Sequence, residues 1–324
     1  MPFRFHQPHR HRVPKARYRV TNWSAYDRGL VELGDVRLWI TGEALVVWAA
    51  PRRRTRGGQA RFSDLAIEAV LMLASLFRLP LRQAEGFVRS LMALMGLALP
   101  VPDHTTLARR RRTVPIDMNA LGRQAPVDLV LDSTGLTFHG PGEWDRLKHG
   151  EKRRAWRKLH LAVDAGTGEI LAFELTDSDT ADAAMAGPLV EHAGGRIRSV
   201  TADGAYDGAP VYAAISAARP PRSPPRIVLP PASASVRAAG TAHGGSERER
   251  HAAEIGRHGR IAWQKATGYG RRALVETAIS RLKRRGGDRL TARTFGAQSA
   301  EIALRIAVAN KAIRHAKPIT LRVA

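Results

Sequence analysis

The stretch LHLAVDAGTGEILAFEL, residues 159–175, decides the fold class of this chain. Two apolar runs, 159–164 and 170–175, enclose the turn-forming residues Asp-Ala-Gly-Thr-Gly, and this arrangement predicts a β-hairpin. Further along the chain in both directions, the same rules predict strands at 127–131, 197–202 and 226–229 and helices at 181–192 and 210–218. Three strands followed by a helix, a strand, a helix and a strand predict an α/β fold with a mixed sheet flanked by helices.

The residues before this sheet have helical periodicity instead. Apolar side chains recur at helical spacing over 64–77 and 81–95, and Ser63 or Asp64 can cap the first of these helices. Asp103 then starts a third, short segment that ends in consecutive arginines: Arg109, Arg110, Arg111 and Arg112. Two helices and a basic third one predict a helix-turn-helix-like DNA-binding region. A helical bundle with a solvated basic end is the alternative interpretation.

Near the C-terminus, Tyr269, Arg272, Glu276 and Lys283 share an arc of about 60° on an ideal helix. Apolar residues occupy the opposite side, so this helix can pack on a core while it presents a carboxylate between cations. That arrangement suits a metal-binding carboxylate beside a polyanion. It also fits a solvated helix face with ordinary ion pairs between residues three or four positions apart, and spacing alone does not separate the two.

The composition limits the classes of function. Of the 324 residues, 52 are Lys or Arg and 29 are Asp or Glu, and the net charge of +23 indicates a polyanionic partner, with nucleic acid as the first candidate. The absence of cysteine excludes disulfide bonds, a thiol nucleophile and a thiolate zinc site. Residues 1–20 predict a disordered basic arm without the apolar segment of a signal peptide, and the longest apolar run, 69–77, is too short to span a bilayer.

Two aspartates, Asp132 and Asp203, come directly after predicted strands, which is a usual place for a site on an α/β sheet. Either one could instead cap a turn, as we expect for Asp164 and Asp207. Together with Glu276 they form a set of three hard oxygen ligands, which suits Mg²⁺ or Mn²⁺ and not zinc. Such ions can activate an attacking oxygen and stabilise the leaving oxygen at phosphorus.

Four motifs, in this order, resemble those of bacterial insertion-sequence transposases of the DDE class. LVLDSTGL at 129–136 surrounds Asp132, WRKLHLAVDAGTGEI spans the predicted hairpin, and TADGAYD at 201–207 surrounds Asp203. YGRRALVETAISRLK at 269–283 has the Tyr-Arg-Glu-Lys spacing of that family without gaps. The helical segment 61–110 is similar to the DNA-binding region of the insertion-sequence-five group.

The resemblance implies a ribonuclease-H-like catalytic domain with Asp132, Asp203 and Glu276 as catalytic residues and metal ligands. It implies two Mg²⁺ ions, for which Mn²⁺ can substitute. In that mechanism water cleaves the phosphodiester at each element end, and the freed 3′-OH then attacks target DNA. The residues expected to contact DNA are Tyr269, Arg272, Lys283, Arg109, Arg110, Arg111 and Arg112.

The resemblance also implies a division of the chain and a set of partners. Residues 1–20 form the basic arm, 21–120 the helical DNA-binding region and 126–315 the catalytic domain, with a loop or insertion at about 230–262. The partners are double-stranded DNA, as terminal inverted repeats and as target, and further copies of the chain in a homodimer or higher oligomer. No membrane is involved, and the expected location is the bacterial cytoplasm, in association with the nucleoid.

One departure from the family pattern leaves alternatives open. After Leu229 the family usually continues with basic residues, whereas Ala232 begins a stretch rich in Ala, Ser and Gly with few charges. This composition argues against DNA contacts by the insertion, and it also fits a decayed copy. The alternatives are therefore a related nuclease without strand transfer, and an inactive or domesticated copy that acts only as a DNA-binding protein.

Overall fold

The computed structural model describes residues 17–54, 56–116, 118, 125–138, 156–218, 224–238 and 245–323. Its strands are β1 (Tyr18–Val20), β2 (Val127–Phe138), β3 (Trp156–Asp164), β4 (Ile170–Asp177), β5 (Ile197–Thr201), β6 (Arg226–Val228), β7 (Arg289–Leu290) and β8 (Thr320–Arg322). Its helices are α1 (Trp23–Glu32), α2 (Gly42–Val46), α3 (Asp64–Leu76), α4 (Leu81–Leu94), α5 (His104–Arg110), α6 (Ala186–Ala193), α7 (Ala209–Ala217), α8 (Ser233–Ala238), α9 (Glu247–Thr267), α10 (Ala273–Gly286) and α11 (Phe295–His315). Short 3₁₀ turns lie at Val36–Leu38, Asp182–Met185, Gly204–Tyr206 and Tyr269–Arg272. Within these ranges, no helix has the length and apolar character that crossing a membrane would require.

A six-stranded mixed sheet forms the centre, in the order β4-β3-β2-β5-β6, with β7 paired to the last residues of β2. β3 runs antiparallel to both of its neighbours, β2 and β4, whereas β5 runs parallel to β2 and β6 runs parallel to β5. The predicted hairpin is present as β3–β4, and the Asp164 carboxylate closes its turn by accepting from the backbone N–H groups of Gly166 and Thr167. The strand order and directions are those of a ribonuclease-H-like α/β sheet, so the predicted fold class is confirmed.

Helices cover both faces of this sheet. Because successive side chains of a strand point to opposite faces, Leu129 and Leu131 of β2 pack on one side against α6 and α7. Val130 faces the other side, where it packs with residues of α10 and α11. Asp132 lies two residues after Val130 and therefore shares the face that α10 covers.

The N-terminal helices have a core of their own, which includes Trp48, Ile67 and Val88. The predicted helix starts there are confirmed, since Ser63 caps α3 and Asp103 caps α5 through side-chain hydrogen bonds to backbone N–H groups. Helix α11 contributes to this core and to the core of the sheet. Its residues Leu304, Ala307, Val308 and Ala312 pack against the N-terminal helices, while Ile302 and Ile306 pack against the sheet.

Two predicted unstructured segments contain regular structure. Residues 18–20 of the predicted basic arm form β1, which pairs antiparallel with β8, whereas residues 1–16 lie outside the described part of the chain. Within the predicted loop or insertion, 233–238 form α8, which was not predicted, whereas α9 begins at Glu247, where the sequence also predicts a helix over 247–259. The physical reason for the second start is a capping box, in which Ser246 and Glu249 satisfy each other's backbone N–H groups.

Two predicted boundaries are wrong near the acidic residues. Asp132 lies inside β2 and not at its end, because β3 pairs with β2 as far as Thr137. The helix that carries Glu276 begins at Ala273 and not at Tyr269. Gly268, with a φ of 71°, ends α9 in the left-handed conformation, and the 3₁₀ turn Tyr269–Arg272 follows it directly.

Arg78 connects the N-terminal helices to α10. It follows α3 with a φ of 53°, a left-handed conformation that is uncommon for residues other than glycine. Its guanidinium donates hydrogen bonds to the backbone carbonyl oxygens of Arg284 and Arg285, at 2.5 and 2.8 Å. These carbonyls lie in the last turn of α10, where helical carbonyls lack partners within the helix.

Arg78→Ala is expected to lower the free energy of unfolding by about 1–2 kcal/mol, because it removes both hydrogen bonds and keeps the strained backbone. Arg78→Gly loses the same bonds but relieves a left-handed cost of roughly 1 kcal/mol, so it should be the milder change. Urea denaturation measures both variants, with Arg82→Ala, an exposed arginine on α4, as the matched control. A greater loss from Arg78→Gly than from Arg78→Ala would contradict this account.

Candidate active site

The register of β2 and β5 brings Asp132 and Asp203 to the same place. These parallel strands pair Val130 with Thr201, and each aspartate follows its strand partner by two residues. Both carboxylates therefore leave the sheet on the same face. β5 ends at Thr201, and the Asp203 carboxylate caps the next 3₁₀ turn by accepting from the Ala205 N–H at 2.9 Å.

The guanidinium of Arg272 lies at the centre of the acidic residues. Its Nη2 atom is 2.9 Å from Oδ2 of Asp132 and 3.8 Å from Oδ2 of Asp203, and its Nη1 atom donates to the carboxylate of Glu276. One cation thus contacts three carboxylates that come from β2, from the end of β5 and from the first turn of α10. The structure brings all three predicted acidic residues together.

Exposure to solvent increases across the site, from the carboxylate on the sheet to the carboxylate on helix α10. The exposed fraction of the side chain is 16% for Asp132, 38% for Asp203 and 61% for Glu276. Burial raises the pKa of the Asp132 carboxyl above its ordinary value, and the charges of Asp203 and Glu276 also act to raise that pKa. The Ser133 N–H and Arg272 oppose the rise. Positive charge beside Asp132 therefore favours its ionised form.

The donor chemistry of the site fits a hard divalent ion. As placed, no three Asp, Glu or His side chains of the described residues share a single ion position, and Arg272 lies between these three carboxylates. The donors themselves are carboxylate oxygens without sulfur or imidazole, the set that suits Mg²⁺ and Mn²⁺. They already converge on one positive group, so Asp132, Asp203 and Glu276 are suited to hold such an ion.

Comparison with known proteins agrees with this geometry. A sequence profile described as a transposase DDE domain matches residues 123–311, which include all three acidic residues, and a second profile of the same description matches residues 31–141. The chain belongs to the transposase DDE domain family. Its activity is DNA cleavage and strand transfer, and such enzymes use divalent metal ions, generally Mg²⁺. A cryo-EM structure of the piggyBac transposase synaptic complex with hairpin DNA is also similar, with 13% identity, 93% of this chain and 77% of that chain covered, and a TM-score of 0.44.

The other residues of the predicted DNA-contact group in this transposase have different surroundings. Lys283 donates from Nζ to the carbonyl oxygen of Gly135 at 3.0 Å, three residues beyond Asp132 on β2. Tyr269 is half-buried, its ring lies 5.2 Å from that of Trp263, and burial raises the pKa of its hydroxyl. Lys283 therefore lies beside the acidic site, whereas Tyr269 packs inward.

The four consecutive arginines of the transposase do not form one exposed basic end. Arg109 and Arg112 are exposed. Arg110 forms an ion pair with Asp64 and donates to the carbonyl oxygen of Phe62, and Arg111 is half-buried, which lowers its pKa. The run was predicted as a basic DNA-contacting end, but two of its four side chains are directed into the protein. The helical period of the run explains this, because consecutive residues on a helix face different directions.

Two groups that position the site were missed at the level of sequence. Asp128, on the same strand as Asp132, accepts from Arg198, Ser199 and Arg271, and these donors, Arg198 foremost, hold its pKa below the ordinary value. It thereby fastens the 3₁₀ turn that carries Arg272 to β2. A charged residue inside an apolar strand was the available signal, because such a residue is rarely buried without partners.

The second missed group is a buried pair on α9. Trp263 is fully buried and donates from Nε1 to Nδ1 of His251 at 2.9 Å, so the other imidazole nitrogen carries the hydrogen and donates to the carbonyl oxygen of Ile227 at 2.9 Å. This chain of contacts connects α9 to β6. Asp207 acts in the same region, where it is buried and bonded to Arg248 and to the Ala232 N–H, and its predicted structural role is confirmed.

Proposed function

We propose that this chain is the transposase of an insertion sequence and that it acts on the terminal inverted repeats of its own element. The motif set with Tyr269, Arg272, Glu276 and Lys283 supports membership of the insertion-sequence-five group. The observation that carries the proposal is the convergence of Asp132, Asp203 and Glu276 on a single cation. The nuclease and DNA-binding alternatives share the chain's basic character, but a DNA-binding protein alone does not need that convergence.

In this proposal Asp132, Asp203 and Glu276 are the catalytic residues and hold two Mg²⁺ ions, for which Mn²⁺ can substitute. When bound, these ions supply positive charge at the attacking and leaving oxygens of an in-line displacement at phosphorus. The protein contributes a frame for two of the carboxylates, since Asp132 lies on β2 and Asp203 follows the end of the adjacent strand β5 by two residues. Glu276, on the exposed side, closes the site next to the substrate.

The remaining parts of the proposal concern DNA and assembly. Residues 21–120 would bind the element ends, with Arg109 at the end of α5 and Arg112 just after it as the exposed arginines of the run, and 126–315 would hold the catalytic centre. Helix α11 would fix the DNA-binding region relative to the catalytic domain, because it packs in the core of the N-terminal helices and in the core of the sheet. A homodimer or higher oligomer would hold both element ends, since strand transfer joins two ends to one target.

The experiment that tests the proposal uses a plasmid that carries the element ends, copied from the DNA on either side of the coding region. Purified protein with Mg²⁺ should cut the plasmid at the element ends and join the released 3′ ends to a second DNA. Cutting without joining would favour the related nuclease. Binding of the ends without cutting would favour a copy that acts only as a DNA-binding protein.

Lys283→Ala is expected to weaken binding of element-end DNA and to reduce the slope of log affinity against log salt by about 0.9, the effect of losing one phosphate contact. The reason is its place beside the acidic site, where its ammonium group is held by the Gly135 carbonyl. Fluorescence anisotropy at several salt concentrations measures the slope. Lys317→Ala is the matched control, because Lys317 also donates to a glycine carbonyl, that of Gly166 in the β3–β4 turn. Equal slopes for wild type and Lys283→Ala would place Lys283 away from DNA.

A further inference from the structure

Arg272 lies between the three carboxylates that are proposed to hold divalent ions. Its two terminal nitrogens contact Asp132, Asp203 and Glu276. The neighbouring cations have other partners: Arg271 bonds Asp128 and Lys283 bonds the carbonyl of Gly135. In the described part of the chain, Arg272 is thus the cation that offsets the charge of this acidic cluster.

The third nitrogen of the same guanidinium is not satisfied. Nε of Arg272 is buried and has no hydrogen-bond partner among the described residues. A buried donor without an acceptor is costly, so this arrangement leaves one group that a different partner could satisfy. A phosphate diester offers such a partner, because two of its oxygens can accept from the edge of a guanidinium in parallel.

The backbone that carries Arg272 is held by the contacts of neighbouring residues, separately from the contacts of its guanidinium. Arg271 bonds Asp128 and the Tyr269 ring packs on Trp263, so both ends of the 3₁₀ turn are fixed. Among the described residues, the hydrogen bonds of the Arg272 side chain come from its two terminal nitrogens, at the end of a long chain of rotatable bonds. A change of rotamer at Arg272 would therefore release all three carboxylates while the contacts that hold its backbone stay in place.

We propose that Arg272 is a placeholder cation, which neutralises the three carboxylates in the DNA-free protein and moves to a phosphate of the element end when DNA binds. The inference rests on the proposed function, because it takes Asp132, Asp203 and Glu276 as the metal ligands. Arg272 and a divalent ion compete for the same oxygens, so binding of DNA raises the affinity for the ion. By linkage, the ion raises the affinity for DNA by the same factor.

The first experiment measures Mn²⁺ binding to the full-length protein without DNA, by the electron paramagnetic resonance signal of free Mn²⁺. Arg272→Gln is expected to bind Mn²⁺ at least about tenfold more tightly than wild type, equivalent to about 1.4 kcal/mol. Arg272→Lys keeps the charge and should remain within a few-fold of wild type. Circular dichroism confirms that each variant is folded. Unchanged or weaker binding by Arg272→Gln would overturn the inference.

Asp132→Asn and Asp203→Asn separate the two claims in the same titration. Both should lose tight Mn²⁺ binding. If they bind Mn²⁺ as wild type does, the metal assignment fails and the inference fails with it. If the two aspartate variants lose Mn²⁺ binding but Arg272→Gln binds Mn²⁺ no more tightly than wild type, the metal assignment stands and the placeholder role is overturned.

The second experiment adds DNA, as a duplex that stops at the last base pair of the element so that no cleavage can occur. In wild type the duplex should raise Mn²⁺ affinity at least about tenfold. In Arg272→Gln the duplex should raise Mn²⁺ affinity only slightly, because no guanidinium has to leave the carboxylates. An equal gain in both proteins would show that the coupling does not pass through Arg272.

Discussion

Asp132→Asn, Asp203→Asn and Glu276→Gln are each expected to reduce cleavage of element-end DNA by at least about 10³-fold, because each removes a charged oxygen donor from the metal site. Each substitution keeps the shape of the side chain, so the fold and the affinity for the DNA ends should change little. Initial rates of 3′-end formation with Mg²⁺ measure the effect, and gel-shift titrations measure the binding. The result would assign catalysis to three residues from three separate elements.

Asp164→Asn is the matched control for that series. Asp164 is also an aspartate at the end of a strand of this sheet, but the hydrogen bonds that its carboxylate accepts from described residues come from Gly166 and Thr167 of the β3–β4 turn. An asparagine oxygen can accept part of the same bonds, so cleavage should stay near the wild-type rate. A rate near wild type in any of the three site variants would contradict the assignment of that residue.

Trp263→Ala is expected to lower the free energy of unfolding by about 3–5 kcal/mol, the usual cost of deleting a large buried aromatic side chain. Trp263 has no exposed surface, packs against Tyr269, and donates the hydrogen bond that fixes His251. Its loss leaves a cavity and an unpaired imidazole nitrogen between α9 and β6. The 3₁₀ turn with Arg272 should lose support as well, so cleavage should fall together with stability.

Two further variants test the reason for that loss. Trp263→Phe keeps most of the side-chain volume but leaves Nδ1 of His251 without its donor. Its free energy of unfolding should therefore lie between those of wild type and Trp263→Ala. Ile261→Ala changes an apolar residue of the same helix that is 70% exposed, and it should change stability little. Urea denaturation gives all three values. A change below about 1 kcal/mol for Trp263→Ala would mean that α9 is not anchored by this residue.

Local sequence signals predicted much of the fold. The β3–β4 hairpin followed from two apolar runs around a Gly-rich turn, and the caps of α3 and α5 followed from Ser63 and Asp103. The helix α8 had no such signal, because Ala and Ser in 233–238 fit a helix or a loop. The pairing of β1 with β8 was also not readable, since it joins the two ends of the described chain.

The contacts within the site could not be predicted from the sequence, because they depend on how distant elements pack together. The motifs indicated Asp132, Asp203 and Glu276, but their meeting depends on the β2–β5 register and on where α10 crosses the sheet. The position of Arg272 between them was not predicted, because spacing along a helix gives directions and not contacts across elements. For α11 a signal was present: apolar residues around much of its circumference are typical of a helix buried on more than one side.

Replacement of a carboxylate by a thiolate tests the central claim most directly. The chain contains no cysteine, so Asp203→Cys introduces a single sulfur ligand, which binds Mg²⁺ poorly and accepts softer ions more readily. If Asp203 holds a catalytic metal ion, this variant should cleave element ends with Mn²⁺ but not with Mg²⁺. A ratio of Mn²⁺ to Mg²⁺ activity equal to that of the wild type would contradict the assignment of Asp203 as a metal ligand.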